Sequence, residues 1–394
     1  MRAGRVGAAP AYALKVSRTA THERLCVPFV DLAPQHAPLR EALLEEIGEL
    51  IDSGAFTNGP QVAKLERAFA AYCGTSDCVG LASGLDALRL ALLASDVGAG
   101  DEVVVPASTF VATLEAVSQT GATPVVADVG TKDYGLDPDA AAAAVTGRTR
   151  FLLPVHLYGQ MADVRRLLEV ADRHNIALLE DACQAHGAAR DGMRAGSAGL
   201  AAAFSFYPGK NLGAMGDGGA LTTSAAGLAA RVRALREHGQ REKYRHQWAG
   251  YTARLDTLQA LIVLRKLAHL DAWTLQRRTA AAYYCDALRD VGDIVLPAVP
   301  AGSEPVWHLF VVRTSDPVAL EGFLAERHIA TGRHYPEPVH LTQAYSYLGY
   351  RDGDFPTAET LSREALSLPI FPGITEGQLA AVAAAVDEYF ARGR

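Results

Sequence analysis

Residues 151–181 read FLLPVHLYGQMADVRRLLEVADRHNIALLED, two short apolar runs separated by a longer amphipathic segment. The first run is Phe151-Leu152-Leu153 and the second is Ala177-Leu178-Leu179. Neither shows polar alternation, which is typical of strands covered on both faces. Between them, from Met161 to Asn175, apolar residues recur three and four positions apart, as on one face of a helix. The stretch therefore predicts two parallel strands joined by a helix.

The same alternation extends in both directions along the chain. Helical spacing is found from about Ser108 to Thr120 and from Asp137 to Val145. Four further strand-like runs are Val103–Pro106, Val125–Ala127, Ala202–Phe206 and Ala220–Thr223. We therefore predict an α/β architecture whose large domain has a mostly parallel sheet flanked by helices.

The pattern changes in the last third of the chain. A long helical pattern runs from Leu255 to about Leu288, and Val306–Val312 follows as a strand candidate. Helical patterns at Val318–Arg327 and Glu376–Ala391 complete a smaller α+β domain. We predict a flexible N-terminal extension over residues 1–25, a large domain over 26–275 and a small C-terminal domain over 276–394.

Composition excludes several classes of protein. The 394 residues hold 37 Lys and Arg against 44 Asp and Glu, a formal charge of −7, which argues against nucleic acid as a partner. Five cysteines without a CxxC pair fit a reducing compartment, and no run approaches the roughly 20 apolar residues of a membrane helix. We therefore expect a cytoplasmic protein that does not bind membranes. Walker A and GxGxxG motifs are absent from the sequence, which argues against nucleotide hydrolysis and Rossmann hydride transfer. The HExxH motif is absent as well, and no metal site is predicted.

Polar residues and glycines follow several of the predicted strands, where open α/β sheets bind ligands. Ser83-Gly84-Leu85 begins a helical pattern and could bind a phosphate or simply cap a helix. Asp181 ends a buried strand and needs a cationic partner, either a protonated ring nitrogen or a structural Arg or Lys. Lys210 follows the aromatic stretch Phe204–Tyr207, where burial would lower its pKa, although a lone lysine in a glycine-rich turn is usually a surface residue. The fourth segment is a proline-stiffened loop, His334–His340.

Together these groups match the requirements of pyridoxal 5′-phosphate. That cofactor needs an amine for its aldehyde, an anion for its ring nitrogen, donors for its phosphate and an aromatic face. Lys210 and Asp181 could supply the first two, and Phe110 could supply the stacked ring. The combination is more informative than any single residue.

At these positions the chain resembles the DegT/DnrJ/EryC1/StrS family of pyridoxal-phosphate sugar aminotransferases, which have the fold-type I, aspartate aminotransferase-like architecture. The shared markers are Val27–Leu32, Gly59-Pro60, Ser83–Leu88, Glu180-Asp181-Ala182, Ser205-Phe206 with Lys210, and Gly216–Ala220. The resemblance implies that Lys210 binds the cofactor aldehyde and moves the substrate proton. It also implies that Asp181 pairs with the ring nitrogen, and that Gln184 bonds the phenolic oxygen. By the same resemblance the ring stacks on Phe110 and the phosphate is held by Ser83, Gly84, Leu85 and Ser205.

The family's sites are completed across a homodimer interface, so a homodimer is implied. One departure concerns the family's G-x-N-x-R-x-D segment, whose Asn contacts the phosphate of the partner subunit. Residues 250–256 read GYTARLD, which places Thr252 at the Asn position. A hydroxyl can still donate a hydrogen bond, but it has a shorter reach.

Residues 206–213, FYPGKNLG, are most similar to the branch that aminates C3 of nucleotide-linked 3-keto-6-deoxyhexoses. The resemblance thus implies a dTDP-linked keto sugar as acceptor and L-glutamate as donor. Alternatives are a C4 keto-sugar or scyllo-inosose aminotransferase, and a non-catalytic sensor on the same scaffold. The C4 stereochemistry, the nucleotide base and the end product are left open. Candidate substrate contacts, for each of which core packing is the alternative, are Tyr158, Lys243, Tyr244, Tyr335 and His340.

Overall fold

A computed structural model describes residues 25–392 of the protein, so the predicted extension lies almost entirely outside the described residues. The chain up to residue 235 alternates strands and helices. Its strands are β1 Asp77–Leu81, β2 Glu102–Pro106, β3 Thr123–Ala127, β4 Thr149–Leu152, β5 Ala177–Asp181, β6 Ala189–Arg190, β7 Met193–Arg194, β8 Ala201–Ser205 and β9 Gly219–Thr223. Its helices are α1 Ala33–His36, α2 Arg40–Ser53, α3 Pro60–Cys73, α4 Gly84–Ala94, α5 Ala112–Ser118, α6 Pro138–Ala144, α7 Val164–His174 and α8 Ala226–Leu235.

From residue 240 onward, more residues lie in helices than in strands. The strands of this part are β10 Gln240–Glu242, β11 Arg245–His246, β12 Ser303–Glu304, β13 Phe310–Arg313 and β14 Ala365–Leu368. Its helices are α9 Thr257–Leu267, α10 Leu270–Ala287, α11 Pro317–Ala325, α12 Pro356–Glu364 and α13 Glu376–Arg392. Short 3₁₀ turns cover Ala37–Leu39, Leu157–Gly159, Val339–Leu341 and Gln343–Leu348.

The central sheet has seven strands in the order β1-β9-β8-β5-β4-β2-β3. β9 is antiparallel to both of its neighbours, whereas β8, β5, β4, β2 and β3 are parallel. This confirms the predicted mostly parallel sheet. β1 was not predicted, because its run contains Asp77 and Gly80 and is less apolar than the others.

Helices cover both faces of the sheet, as the unbroken apolar strands predict. Val103, Val104 and Val105 of β2 are all fully buried. Val103 and Val105 pack in the core beside α4 and α5, while Val104 packs in the core beside α6 and α7. Neighbouring strand residues point to opposite faces, so successive valines serve different cores.

A second core joins β13 and β14 with α10, α11 and α13. Three features bear on the predicted division of the chain. Val27 packs in this second core, where its backbone bonds to His328 and Ala330, and residue 275 lies inside α10 rather than between elements. In addition, Val339 and Phe355 return to the core of the large domain. The boundary near residue 275 stays a prediction.

Two predicted elements are corrected. The helical pattern from Leu255 to Leu288 is two helices, α9 and α10, because the chain turns at Ala268-His269 with neither proline nor glycine to signal it. The strand predicted over Val306–Val312 begins only at Phe310. Trp307 has a left-handed backbone (φ 48°), and Val306 donates its N–H to Gly159 instead of joining a sheet.

The structure also bears on the membrane question. Within residues 25–392, no helix has both the length and the apolar character needed to cross a bilayer.

Candidate active site

The carboxyl ends of the parallel strands meet at one edge of the sheet, and the predicted site residues gather there. β5 ends at Asp181, β8 is followed by Lys210, and α4 begins at Gly84 just after β1. α5 begins later than predicted, at Ala112, so Ser108–Val111 form a loop at this edge. Phe110 lies in this loop. Ligands bind at such edges because loop residues from several strands converge there.

Asp181 and its neighbour Glu180 face opposite sides of β5. The Asp181 carboxylate accepts hydrogen bonds from Thr113 Oγ1 (2.8 Å) and from the Cys183 N–H (3.2 Å). Glu180 accepts from the backbone N–H groups of residues 196, 198 and 199 and pairs with His156 Nε2 at 2.9 Å. Glu180 is therefore fully occupied in the interior, which leaves Asp181 as the carboxylate at the sheet edge.

Lys210 lies on the loop after β8, close to a group of titratable side chains. Burial lowers the pKa of Lys210 below its usual value, while the nearby Cys183 and Asp181 act in the opposite direction. The charge of Lys210 also lowers the pKa values of His186, His308 and His334, although burial is the larger cause for each. A buried amine with a lowered pKa is a nucleophile near neutral pH.

Ser205, Cys183 and the first residue of α4 pack against one another. A Cβ atom on Gly84 would lie 2.5 Å from Cys183 Sγ and 3.0 Å from Ser205 Cβ, so this close approach requires glycine. Ser83 caps the helix by accepting from the Asp86 N–H (3.0 Å). The first backbone N–H groups of a helix have no partner within it and attract anions. Ser205 Oγ accepts from the Tyr207 N–H (3.2 Å), which leaves its hydroxyl hydrogen free to donate.

Phe110, Tyr335 and Gln184 contact one another at the same edge of the sheet. The Phe110 ring is 51% exposed and lies 5.5 Å from the Tyr335 ring, measured between centroids. Gln184 is buried, donates to the Tyr335 hydroxyl (3.2 Å) and accepts from the Tyr158 N–H (2.8 Å). An aromatic face and an amide are thus held together at the site.

Two predicted substrate contacts are buried in the single chain. Tyr158 is buried, and its hydroxyl donates to the His334 carbonyl, so its polar group is used inside the protein. His340 is 1% exposed, its Nε2 pairs with Glu359 (3.2 Å), and Phe355 packs edge-on against its ring. The packing of both residues is consistent with the alternative of core packing, because the Tyr158 hydroxyl and His340 Nε2 have partners inside the protein, although His340 Nδ1 has none within residues 25–392.

Two further predicted substrate contacts, Lys243 and Tyr244, lie in the β10–β11 hairpin, and the predicted cofactor contact Thr252 follows it, whereas Tyr335 lies beside Phe110. Lys243 and Tyr244 are exposed, with the Lys243 ammonium 5.3 Å from the Tyr244 ring. Lys243 lines a cavity of about 860 Å³ shared with Asn58 and Trp248, and none of the residues around Lys210 lines it. Thr252 is exposed and bonds to His238 Nε2 (3.2 Å). Within residues 25–392, no hydrogen bond, ion pair or aromatic contact joins this hairpin to Lys210.

Several residues near Lys210 were not predicted as site residues. Thr113 orients Asp181, and its place after β2 at the sheet edge was a signal that could have identified it. His186 is fully buried among Phe69, Phe204 and Phe206, and neither ring nitrogen has a partner within the described part of the chain. His308 fell within a predicted strand, so its position beside Lys210 could not be read from the pattern.

These groups fit pyridoxal phosphate. Lys210 would provide the amine, Asp181 the carboxylate, Phe110 an uncovered ring face, and the start of α4 with Ser205 the phosphate donors. Among residues 25–392, no cluster of His, Cys, Asp and Glu side chains is arranged to hold a metal ion.

Comparison with known proteins gives consistent matches over almost the whole chain. The chain is 48% identical to the erythromycin biosynthesis sensory transduction protein EryC1 of Saccharopolyspora erythraea, covering 89% of this chain and 95% of that protein. It is 47% identical to dTDP-3-amino-3,4,6-trideoxy-α-D-glucose transaminase of Streptomyces venezuelae (93% and 97% covered). It is 43% identical to dTDP-3-amino-3,6-dideoxy-α-D-galactopyranose transaminase of Aneurinibacillus thermoaerophilus (92% and 99% covered).

Among solved structures, the fold matches S. venezuelae DesV, crystallised in complex with a ketimine intermediate. The TM-score is 0.91 at 47% identity, with 93% of this chain and 98% of that chain covered. The profile of the DegT/DnrJ/EryC1/StrS aminotransferase family matches residues 38–387. The chain therefore belongs to the DegT/DnrJ/EryC1/StrS aminotransferase family and is a pyridoxal-phosphate-dependent sugar aminotransferase.

Proposed function

We propose that the protein transfers the amino group of L-glutamate to C3 of a dTDP-linked 3-keto-6-deoxyhexose. The observation that carries the transaminase chemistry is the half-buried Lys210, whose pKa is lowered, near the buried Asp181 at the sheet edge. The position of amination is supported by two relatives, whose names place an amino group on C3 of a dTDP-linked deoxyhexose. The FYPGKNLG sequence around Lys210 supports the same branch.

Lys210 is the proton carrier in this proposal. Bound pyridoxal phosphate supplies an aldehyde that carries the amino group and a ring that accepts electrons. Burial lowers the pKa of Lys210, so its amine is neutral at a lower pH than an exposed lysine and can take a proton from the carbon of the amino donor. With the cofactor bound, the same amine would deliver this proton to the cofactor carbon C4′. With the keto sugar, the two proton transfers would occur in the opposite order.

Asp181 provides a fixed negative charge for the ring nitrogen. Its two carboxylate oxygens are held by Thr113 and Cys183, so the carboxylate cannot rotate freely. A carboxylate held in this orientation would keep the ring nitrogen of the bound cofactor protonated, so that the ring can accept electrons, and needs no reorganisation during the reaction. Gln184, fixed by Tyr158, would approach the phenolic oxygen through its amide nitrogen, which now donates to Tyr335.

We further propose a homodimer in which the β10–β11 hairpin serves the site of the partner. Tyr207 and Met215 beside the Lys210 loop, and Phe56 before α3, are large apolar side chains that are exposed in the single chain. Lys243 and Tyr244 are exposed as well and lie away from the Lys210 of their own chain. A second copy would cover the apolar residues and supply the basic hairpin to the sugar nucleotide.

The substrate proposal is tested with a panel of acceptors and L-glutamate as donor. The acceptors are dTDP-linked 3-keto-6-deoxy and 3-keto-4,6-dideoxy hexoses, the 4-keto-6-deoxyhexose and scyllo-inosose. We expect amino-sugar formation with a 3-keto substrate at a rate at least about tenfold above that with the others. Preference for the 4-keto sugar or for scyllo-inosose would replace the proposed substrate without changing the enzyme class.

Lys210→Ala tests the role of the amine. We expect the variant to lose turnover and the absorbance band of the protein-bound cofactor, because alanine cannot bond to an aldehyde. Lys132→Ala, which changes an exposed lysine, is the matched control and should behave like the unaltered protein. Normal turnover in the Lys210→Ala variant would contradict the assignment.

The name of one relative, a sensory transduction protein, keeps the non-catalytic sensor as a second candidate. The two functions differ in a simple observation. A sensor would bind the sugar nucleotide without consuming glutamate, whereas the proposed enzyme forms 2-oxoglutarate in equal amount to the amino sugar. The presence of both Lys210 and Asp181 favours the enzyme.

A further inference from the structure

A four-residue segment between β12 and β13, Val306–Leu309, touches both sides of the site; we call it the bridging segment. Val306 and Leu309 donate their N–H groups to the carbonyls of Gly159 (2.9 Å) and Tyr158 (3.3 Å). Asn211 Nδ2 donates to the Val306 carbonyl (2.9 Å). The segment therefore connects the turn that fixes Gln184 with the residue that directly follows Lys210.

Arg277 of α10 holds the shape of the bridging segment. Its buried guanidinium donates to the carbonyls of Trp307 (3.1 Å), His308 (3.4 Å) and Ile370 (2.9 Å). Trp307 has a left-handed backbone, which is costly for a non-glycine residue unless its surroundings enforce it. The Arg277 guanidinium thus binds the carbonyl of Trp307, whose backbone is unusual, and the carbonyl of His308. These two contacts fix the backbone from which the His308 side chain projects.

Gly159 allows the other side of the segment to approach. Its φ of +91° is favourable only for glycine, and a Cβ atom there would lie 2.8 Å from the His308 nitrogen. The backbone of His308 is consequently fixed from two sides, by Gly159 and by Arg277.

The tautomer of His308 follows from its contact with Asn211. Because Asn211 donates through Nδ2 to Val306, its Oδ1 faces His308 Nδ1 at 3.3 Å and can only accept a hydrogen bond. His308 Nδ1 therefore carries the hydrogen. Burial, together with the charges of Lys210 and Arg277, lowers the pKa of His308 well below its usual value, so the ring is neutral.

We propose that His308 is a positioning residue for Lys210 and acts through Asn211. Its Nδ1–H holds the Asn211 amide, and thereby the backbone next to Lys210, in register with the Gln184 side of the site. Asn211 is 2% exposed and has no route to the substrate, so its contacts serve the loop itself. The amine of Lys210 must reach the reacting carbon accurately, and a displacement of about 1 Å can cost about a hundredfold in rate.

Substitutions at His308 separate positioning from packing. Asparagine places an amide N–H near the position of Nδ1–H, whereas leucine fills a similar volume without a donor. We expect His308→Leu to lower kcat by about ten- to a hundredfold with KM for glutamate changed less than about threefold. His308→Asn should recover most of the loss, and His174→Leu, at the exposed end of α7, is the matched control.

A double-variant cycle tests the route through Asn211. Asn211→Ala should lower kcat to a similar degree, and adding His308→Leu to it should cause little further loss, because the two residues act in series. If the kcat losses of the two single variants multiply in the double variant, His308 does not act through Asn211, and the proposal is overturned. Equal rates of His308→Asn and His308→Leu would overturn it too.

A second readout does not depend on turnover. In the full-length protein without cofactor, the rate at which acetic anhydride labels Lys210 over a range of pH reports the pKa of its amine. We expect His308→Leu to raise that pKa toward the usual lysine value, because a displaced loop exposes the amine, and His308→Asn to leave it low. An unchanged labelling profile in His308→Leu would show that the loop does not depend on His308.

Discussion

At the scale of single residues, two adjacent carboxylates have different tasks because of the strand that carries them. Glu180 turns inward and is bonded to three backbone N–H groups and His156, whereas Asp181 turns to the sheet edge beside Lys210. The alternation of side chains along a strand separates them, although they are neighbours in sequence. The residue type alone does not assign the role.

Asp181→Asn tests the charge at that position. Asparagine has the same shape and retains an acceptor for the Cys183 N–H, and the Thr113 hydroxyl can rotate to accept from the new amide. We expect kcat to fall by about a hundredfold to a thousandfold with little change in thermal stability, because only the charge is lost. Steady-state kinetics and thermal unfolding check this, and a rate near that of the unaltered protein would refute the proposed role.

At the scale of elements, α9 contacts the end of the loop that carries Lys210. Lys266 of α9 is 1% exposed and donates to the Gly213 carbonyl at the end of that loop, with His36 Nε2 at 3.2 Å and the Trp273 ring 5.9 Å away. Burial lowers the pKa of Lys266 to about 8 from an ordinary 10.5. Burying this cation costs free energy, which the contact with the loop offsets in part.

The stability of the protein should therefore depend on pH through Lys266. The folded state releases this proton near pH 8 and the unfolded state near pH 10.5, so between them the unfolded state binds more protons. The contribution of Lys266 to the free energy of unfolding then rises with pH over this window, by about 3 kcal/mol. We expect urea unfolding of Lys266→Met to show a smaller rise, whereas Lys64→Met, at an exposed site on α3, should follow the unaltered protein. Parallel curves for all three would contradict the expectation.

At the scale of the whole molecule, the two cores are interleaved along the chain. Val27 packs in the second core, while Val339 and Phe355 return to the first. The bridging segment connects them at the site itself, through Arg277 on one side and Asn211 on the other. In our proposal Lys210 is thus positioned by contacts that reach both cores.

Mixing of subunits tests whether the proposed dimer shares its sites. Lys210→Ala and the double variant Lys243→Ala/Tyr244→Ala would each be impaired as pure dimers. If the hairpin acts on the partner's site, a re-associated equal mixture regains up to about a quarter of the normal activity, because half of the dimers then contain one intact site. Recovery measured after mixing supports shared sites. No recovery, with dimers present by light scattering, would place the hairpin in its own subunit's site.

Much of the site could be predicted from the sequence, except for residues whose burial depends on contacts with other parts of the chain. Lys210, Asp181, Ser205 and Gly84 stand at the ends of strands or at the start of a helix, and local periodicity reveals those elements. The structure confirms the α/β sheet on which this argument depended. Tyr158 and His340 were assigned to the substrate on their residue type, and their polar contacts are made with His334, 176 residues from Tyr158, and with Glu359, 19 residues from His340.

The amino-acid sequence by itself determined the alternation of strands and helices, and with it the edge where the chemistry gathers, because periodicity and burial of apolar runs are local properties. Only the tertiary structure decided the conformation of Val306–Leu309, the first part of a strand-like pattern, whose backbone bonds instead to Gly159, Asn211 and Arg277. It likewise placed His308 beside Lys210. Contacts between residues about a hundred positions apart leave no periodic trace in the chain, since they depend on how finished elements pack.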